Sequence, residues 1–164
     1  MAVEVVGGSA IEIYLTSRSY VSQDIDLVGD RTAIERALRN WGFHEVEGRS
    51  HRTYWTDNFV GLVDLVGAVD RSGLRPRKVS TALGPVLLSA PEPLIIRRLM
   101  RGHREGSEEL FRQAVKLAQL GRLDWRYLRS ESRYEGVEPE LERLRCALPS
   151  SARSARRLQR SGTS

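Results

Sequence analysis

Residues 3–28 read VEVVGGSAIEIYLTSRSYVSQDIDLV, and the order of features in this stretch decides the fold. Val3 to Val6 is a short apolar run, the pattern of a buried strand, and it stops at Gly7-Gly8-Ser9, which reads as a tight turn. Ala10 to Leu15 has the composition to open a short helix. From Ser22 to Val28 the pattern alternates, with Ile25 and Leu27 opposed to Asp24 and Asp26, so the spacing predicts a strand with one apolar and one acidic face. On such a strand Asp24 and Asp26 point the same way, roughly 6.5–7 Å apart along the chain. Two carboxylates that close repel each other unless a cation lies between them.

Working outward, Asp30 or Thr32 is placed to cap a helix over Ala33 to Trp41, which Gly42 stops. Phe43 to Val46 and His51 to Thr56 read as strands around Glu47-Gly48-Arg49. Asp57-Asn58 is a turn before a further strand from Val60 to Val66. Arg71 to Arg77 is a Gly/Pro loop, and Lys78 to Leu83 pairs with Val86 to Ser89 around Gly84-Pro85. The character then changes to helix. Pro91 starts one that runs to about Arg101, and Ser107 caps a second that runs to Leu120. Asp124 caps a third over Trp125 to Arg133, and Pro139 starts a fourth ending near Ala147. Strands followed by helices predict an α+β protein, a mixed and mainly antiparallel sheet with flanking helices and then a small helical C-terminal subdomain. The expected divisions are 1–90, 91–148 and a basic tail, 149–164.

The 164 residues carry 26 Lys plus Arg against 21 Asp plus Glu, a net charge of +5. Four of the arginines fall in the tail PSSARSARRLQRSGTS, which has no acid and is expected to be disordered. Without them 22 basic residues face 21 acidic ones, so the folded body is close to neutral and the net charge says little about its ligands. A hydrophobic content of 40% supports an ordinary core. The apolar runs are too short to span a membrane, and the MAVEVVGG start lacks the pattern of a signal peptide, so a cytoplasmic protein is expected. The single cysteine, Cys146, excludes an internal disulfide framework and any multi-cysteine metal site.

The chemistry is carried by few residues. Asp64 sits inside the apolar run Leu62-Val63-Asp64-Leu65-Val66, where a carboxylate is costly to bury without a partner. Three acids converging on one or two Mg²⁺ ions suit in-line attack on the α-phosphate of a nucleotide, because Mg²⁺ takes carboxylates and phosphates together. A Gly-Gly turn lets backbone N–H groups approach a phosphate, and Ser9 adds a hydroxyl at a helix start. Each piece alone has an ordinary structural reading; their order and spacing make the set specific.

Strand-Gly-Gly-Ser-helix, then Asp24-Ile25-Asp26-Leu27, then Val63-Asp64-Leu65, resembles the polymerase-beta-type nucleotidyltransferase superfamily, in particular its minimal prokaryotic members and the AbiEii-like toxins of abortive-infection systems. The Pro91-Glu92-Pro93-Leu94 helix with Arg98, Gln113-Ala114 and Leu123-Asp124-Trp125 are similar to the helical half of that group, so the resemblance spans roughly residues 3 to 145. It implies an Mg²⁺-dependent transfer of a nucleoside monophosphate from an NTP to a hydroxyl of RNA (tRNA among the candidates) or of a protein, with no membrane partner. Gly7, Gly8, Ser9 and Arg98 would hold the nucleotide, and Asp24, Asp26 and Asp64 would be the catalytic and metal-binding residues. A cognate toxin or antitoxin partner is implied as well.

The chain departs from the group in starting its first strand within three residues and in lacking the acid-rich helical signature of the toxins. The competing reading is therefore a non-catalytic, antitoxin-like binding partner that keeps the fold. Arg97, Arg101 and Arg104 form a basic helical stripe, read as a solvated face. Trp41, Trp55 and Trp125 are expected in the core, with base stacking as the lesser alternative, and His44 and His51 have no ligand spacing.

Overall fold

A computed structural model describes residues 3–15, 23–67, 72–81 and 84–149. The chain divides into two compact units at Ala90/Pro91. The basic tail, from residue 150 on, lies outside the described residues.

The first unit is built on a seven-stranded sheet. Its elements are β1 (Val3–Val6), α1 (Gly7–Leu15), β2 (Asp24–Gly29), α2 (Arg31–Asn40), β3 (His44–Val46), β4 (Arg52–Thr56), β5 (Phe59–Gly67), β6 (Arg77–Thr81) and β7 (Gly84–Leu88). The strand order is β3-β4-β5-β2-β1-β7-β6. β1 lies antiparallel to β2 and parallel to β7, β2 runs parallel to β5, and the β3–β4, β4–β5 and β6–β7 pairs are antiparallel. The expected α+β architecture with a mixed sheet is therefore present.

Two features fix the centre of the sheet. Asp30 caps α2, its carboxylate accepting from the Ala33 amide at 3.2 Å, and the helix then buries Ile34 and Leu38, four residues apart on one face. These pack with Tyr54 and Val63, and Ile25, Leu27, Phe43, Phe59 and Leu65 surround them. Gly61 lets β5 come close to β2: a Cβ there would lie 2.2 Å from the Gln23 carbonyl oxygen, and its φ is +146°. The Leu62 amide donates to that same carbonyl at 3.3 Å, which starts the β2–β5 pairing.

The second unit consists of α3 (Pro91–Glu105), α4 (Glu108–Gln119), α5 (Trp125–Glu135) and α6 (Glu138–Ala147). α3 continues past Arg101 to Glu105 because nothing breaks it before Gly106, where φ turns to +63°. Ser107 caps α4 and Asp124 caps α5, each side chain accepting from amides of the first helical turn. Leu99, Leu117, Leu128, Leu141 and Leu144 are fully buried. Glu92 is also buried and accepts from the Asp124 amide at 2.7 Å, so the cap of α5 is tied to α3. Among the described residues no helix is long and apolar enough to cross a membrane.

Candidate active site

β-Sheet alternation and register put the three carboxylates on one face of the sheet. Asp26 on β2 is the direct neighbour of Asp64 on β5, and Asp24 lies two residues back on the face that carries Asp26. The opposite face holds Ile25, Leu27, Val63 and Leu65 in the core under α2. The acidic face and the apolar face are thus the two sides of one parallel strand pair.

Gly7-Gly8-Ser9 is the first turn of α1 rather than a separate turn before it. Gly7 has φ +63°, and a Cβ added there would fall 1.9 Å from Oδ2 of Asp26. The Asp26 carboxylate therefore rests against the start of α1, in space that only a glycine leaves. The first four amides of a helix have no partner within it, so this end of α1 turns N–H groups and a positive dipole end toward that region. Ser9 is buried, and its hydroxyl donates to the carbonyl oxygen of Asp24. That bond ties α1 to β2 and commits the hydroxyl proton to the backbone. That leaves the free backbone amides of the first helical turn, rather than the hydroxyl, as the donors this turn can offer an anion.

Asp64 is only 7% exposed, and its burial is compensated. Thr53, fully buried on β4, donates to Oδ1 at 2.5 Å, and Nε2 of His51 lies 3.2 Å from Oδ2. The sequence does not single out these two residues as partners. Their contact depends on the β4–β5 register, which sets Thr53 opposite Asp64. Nδ1 of His51 is in turn 3.2 Å from Oγ of Ser50.

Among the described residues no three His, Cys, Asp or Glu side chains converge closely enough to hold a metal ion by themselves. The donor set nevertheless suits Mg²⁺, a hard cation that uses one or two carboxylates and completes its shell with water and phosphate oxygens. Asp24 and Asp26 supply such carboxylates beside a helix N-terminus able to receive the phosphates. Arg98 lies on α3 in the second unit, where its side chain is buried; Arg97, Arg101 and Arg104 are exposed, and Arg101 pairs with Glu105 at 3.0 Å.

The expected core placement of the tryptophans is not what forms. Trp41 is 72% exposed and Trp55 41%. Trp41 is the C-cap residue of α2 and projects beyond the helix, while Trp55 alternates with Tyr54 and so faces away from the α2 core. Trp125, at the start of α5, is half-buried.

No protein-family model matches the chain, and no curated protein matches its sequence. Its backbone is similar to that of an antigenic nucleotidyltransferase-like protein from Paracoccidioides brasiliensis, with a TM-score of 0.58 over 89% of this chain and 84% of that one, at 16% identity. The fold is nucleotidyltransferase-like. Two structures of ANT(2'')-Ia are also similar, each with a TM-score of 0.49. The solution structure of this antibiotic-resistance factor is 19% identical over 87% of this chain and 88% of that one. The crystal structure with adenylyl-2''-tobramycin is 18% identical over 81% and 88%. In the nucleotidyltransferase-like fold described above, the acidic face of β2 and β5 is the candidate site.

Proposed function

We propose that the chain is an Mg²⁺-dependent nucleotidyltransferase that moves a nucleoside monophosphate from an NTP to a hydroxyl of RNA or protein. The observation that carries this reading is the register that seats Asp26 beside Asp64, with Asp24 on the same face and Gly7 making room for the Asp26 carboxylate. In this reading Asp24 and Asp26 hold the ion, and Asp64 serves as a third ligand or as the base for the acceptor hydroxyl. Mg²⁺, when bound, supplies neutralisation of the charge that develops on the transferring phosphoryl group. The chain's own residues do the positioning. The amides at Gly7 and Gly8 receive phosphate oxygens, Ser9 locks α1 to β2, and Thr53 and His51 orient Asp64. Arg98 is assigned to a phosphate contact on the family resemblance, and so is a role in a toxin–antitoxin or abortive-infection pair.

Labelled NTP, Mg²⁺ and either total RNA or cell protein test the reading. Asp24→Asn and Asp26→Asn are expected to cut label transfer about 100-fold or more while leaving the thermal melt in place. Transfer at the wild-type rate in either variant would overturn the site. A folded wild-type chain that binds no NTP in calorimetry would favour the non-catalytic partner.

A further inference from the structure

We propose that the β6 edge of the sheet takes up an extended acidic segment of a partner protein as an additional strand. Among the described residues β6 closes one end of the strand order, and no strand lies beyond it. Pro85 fixes which of its backbone groups are free. Ser80 is the register partner of Pro85, which has no N–H, so these two residues cannot exchange a pair of hydrogen bonds. Alternation then gives the bonded pairs to Val79–Val86 and to Thr81–Gly84, and leaves Lys78–Leu87 non-bonded like Ser80–Pro85. The N–H and C=O of Lys78 and of Ser80 therefore point away from β7, toward the open edge. Both residues are exposed, and no backbone group of another element bonds to them among the described residues. Alternating donors and acceptors of this kind are the template on which a further strand adds.

The charges choose the occupant. From residue 71 to residue 91 the chain has no Asp or Glu, and the charged residues of the stretch 72–81 are Arg75, Arg77 and Lys78. Arg75 and Lys78 are exposed and make no ion pair among the described residues. The opposite edge of the sheet differs: β3 has only three residues, and its Glu45 already pairs with Arg52 at 3.1 Å. A second copy of this chain is a poor occupant of the β6 edge, because it brings only the same basic stretch and no register sets an acid against Lys78. Lys78 and the exposed Pro76, which offers no N–H, are the devices that keep an edge from pairing with itself. They do not hinder an acidic strand, since the lysine attracts it and Pro76 precedes the two residues whose groups face outward. A polynucleotide could meet the charges, but it has no row of amides and carbonyls to match the edge. Lys78 and Ser80 project on one face of the sheet and Arg77, Val79 and Thr81 on the other, so carboxylates at adjacent positions of the partner strand meet Lys78 and Arg77. This docking needs neither NTP nor the three carboxylates, so it stands or falls apart from the transferase reading.

The experiment uses the full chain, without NTP or Mg²⁺, and a capped heptapeptide, TTVEETE, written to lie antiparallel with glutamates opposite Lys78, Arg77 and Arg75. Its lysine counterpart, TTVKKTK, is the control. The acidic peptide is expected to shift the amide resonances of Lys78 and Ser80 and to slow their hydrogen exchange, and the lysine peptide to bind about tenfold more weakly or less. Ser80→Pro removes an outward N–H that β7 does not use, so the thermal melt should hold while peptide affinity falls about two- to tenfold. Lys78→Glu should reverse the preference between the two peptides, and Lys78→Arg should keep it; that comparison decides even where Ser80→Pro does not fold. Equal binding of both peptides, binding of neither at millimolar concentration, or binding that leaves the Lys78 and Ser80 amides unchanged overturns the acidic strand. Protection of those amides before any peptide is added, in a chain that sediments as a dimer, would overturn it in favour of a second copy. Shifts produced by an RNA duplex and by neither peptide would overturn it in favour of nucleic acid.

Discussion

On the side of the sheet covered by α2, Ile25, Leu27, Val63 and Leu65 pack with Tyr54 beneath Ile34 and Leu38. On the other side, the same two strands present Asp24, Asp26 and Asp64. One backbone serves both, since a one-residue step moves a side chain to the opposite face. The apolar face sets where the strands sit, and the acidic face takes its geometry from that position. Burial of hydrocarbon thus does the positioning that the carboxylates, which repel one another, cannot do for themselves.

The harshest way to break this division is to empty the apolar side. Tyr54 is fully buried at its centre, and Tyr54→Ala should cost about 3–5 kcal/mol in urea unfolding, as removal of a buried aromatic ring does. The strand register is lost with it, so NTP binding should fall in proportion to the unfolded fraction. A stable Tyr54→Ala protein would mean that α2 does not hold the sheet. The acidic-face variants act in the opposite sense, on transfer and not on folding.

Gly7→Ala touches both sides of the comparison at once. The left-handed φ of +63° costs an alanine about 1–2 kcal/mol, and the new Cβ would drive Oδ2 of Asp26 from its place. Thermal unfolding should report the first effect and Mg²⁺-dependent NTP affinity the second. A stability loss with unchanged NTP affinity would separate Asp26 from the nucleotide site.

Much of this was legible from local pattern. The alternation Asp24-Ile25-Asp26-Leu27 gives strand and faces together, and Asp30, Ser107 and Asp124 announce their helices by capping chemistry. What stayed hidden depends on long-range register. With Thr56 opposite Phe59, a regular hairpin places His51, not Thr53, opposite Asp64. The irregularity between Tyr54 and Thr56 moves the pairing by two residues, so Thr53 faces Asp64 while His51 still reaches it from the turn side. Such a bulge carries no sequence signal strong enough to place it. The tryptophans misled for a related reason: Trp55 is apolar in composition, but its place in the alternation turns it away from the α2 core, and it is 41% exposed.

The smallest effect expected lies at the margin of the α2-covered side, where Glu35 meets Arg31 at 2.8 Å and Arg52 at 3.4 Å. The hydrogen bond from Arg31, and then the charges of Arg52, Arg31 and Arg39, hold the Glu35 carboxyl below its ordinary value; partial burial opposes them. A carboxyl depressed in the folded state contributes stability above its unfolded pKa and loses that contribution as pH falls through the folded one. Glu35→Gln should therefore cost less than about 1 kcal/mol at neutral pH. The wild-type advantage should shrink from the ordinary glutamate range downward and vanish once both states are protonated. Urea midpoints for the two proteins, measured at neutral pH and then stepwise into acid, should converge. Parallel curves would show that the Arg31–Glu35–Arg52 group adds nothing to the seating of α2, leaving that to Ile34 and Leu38 alone.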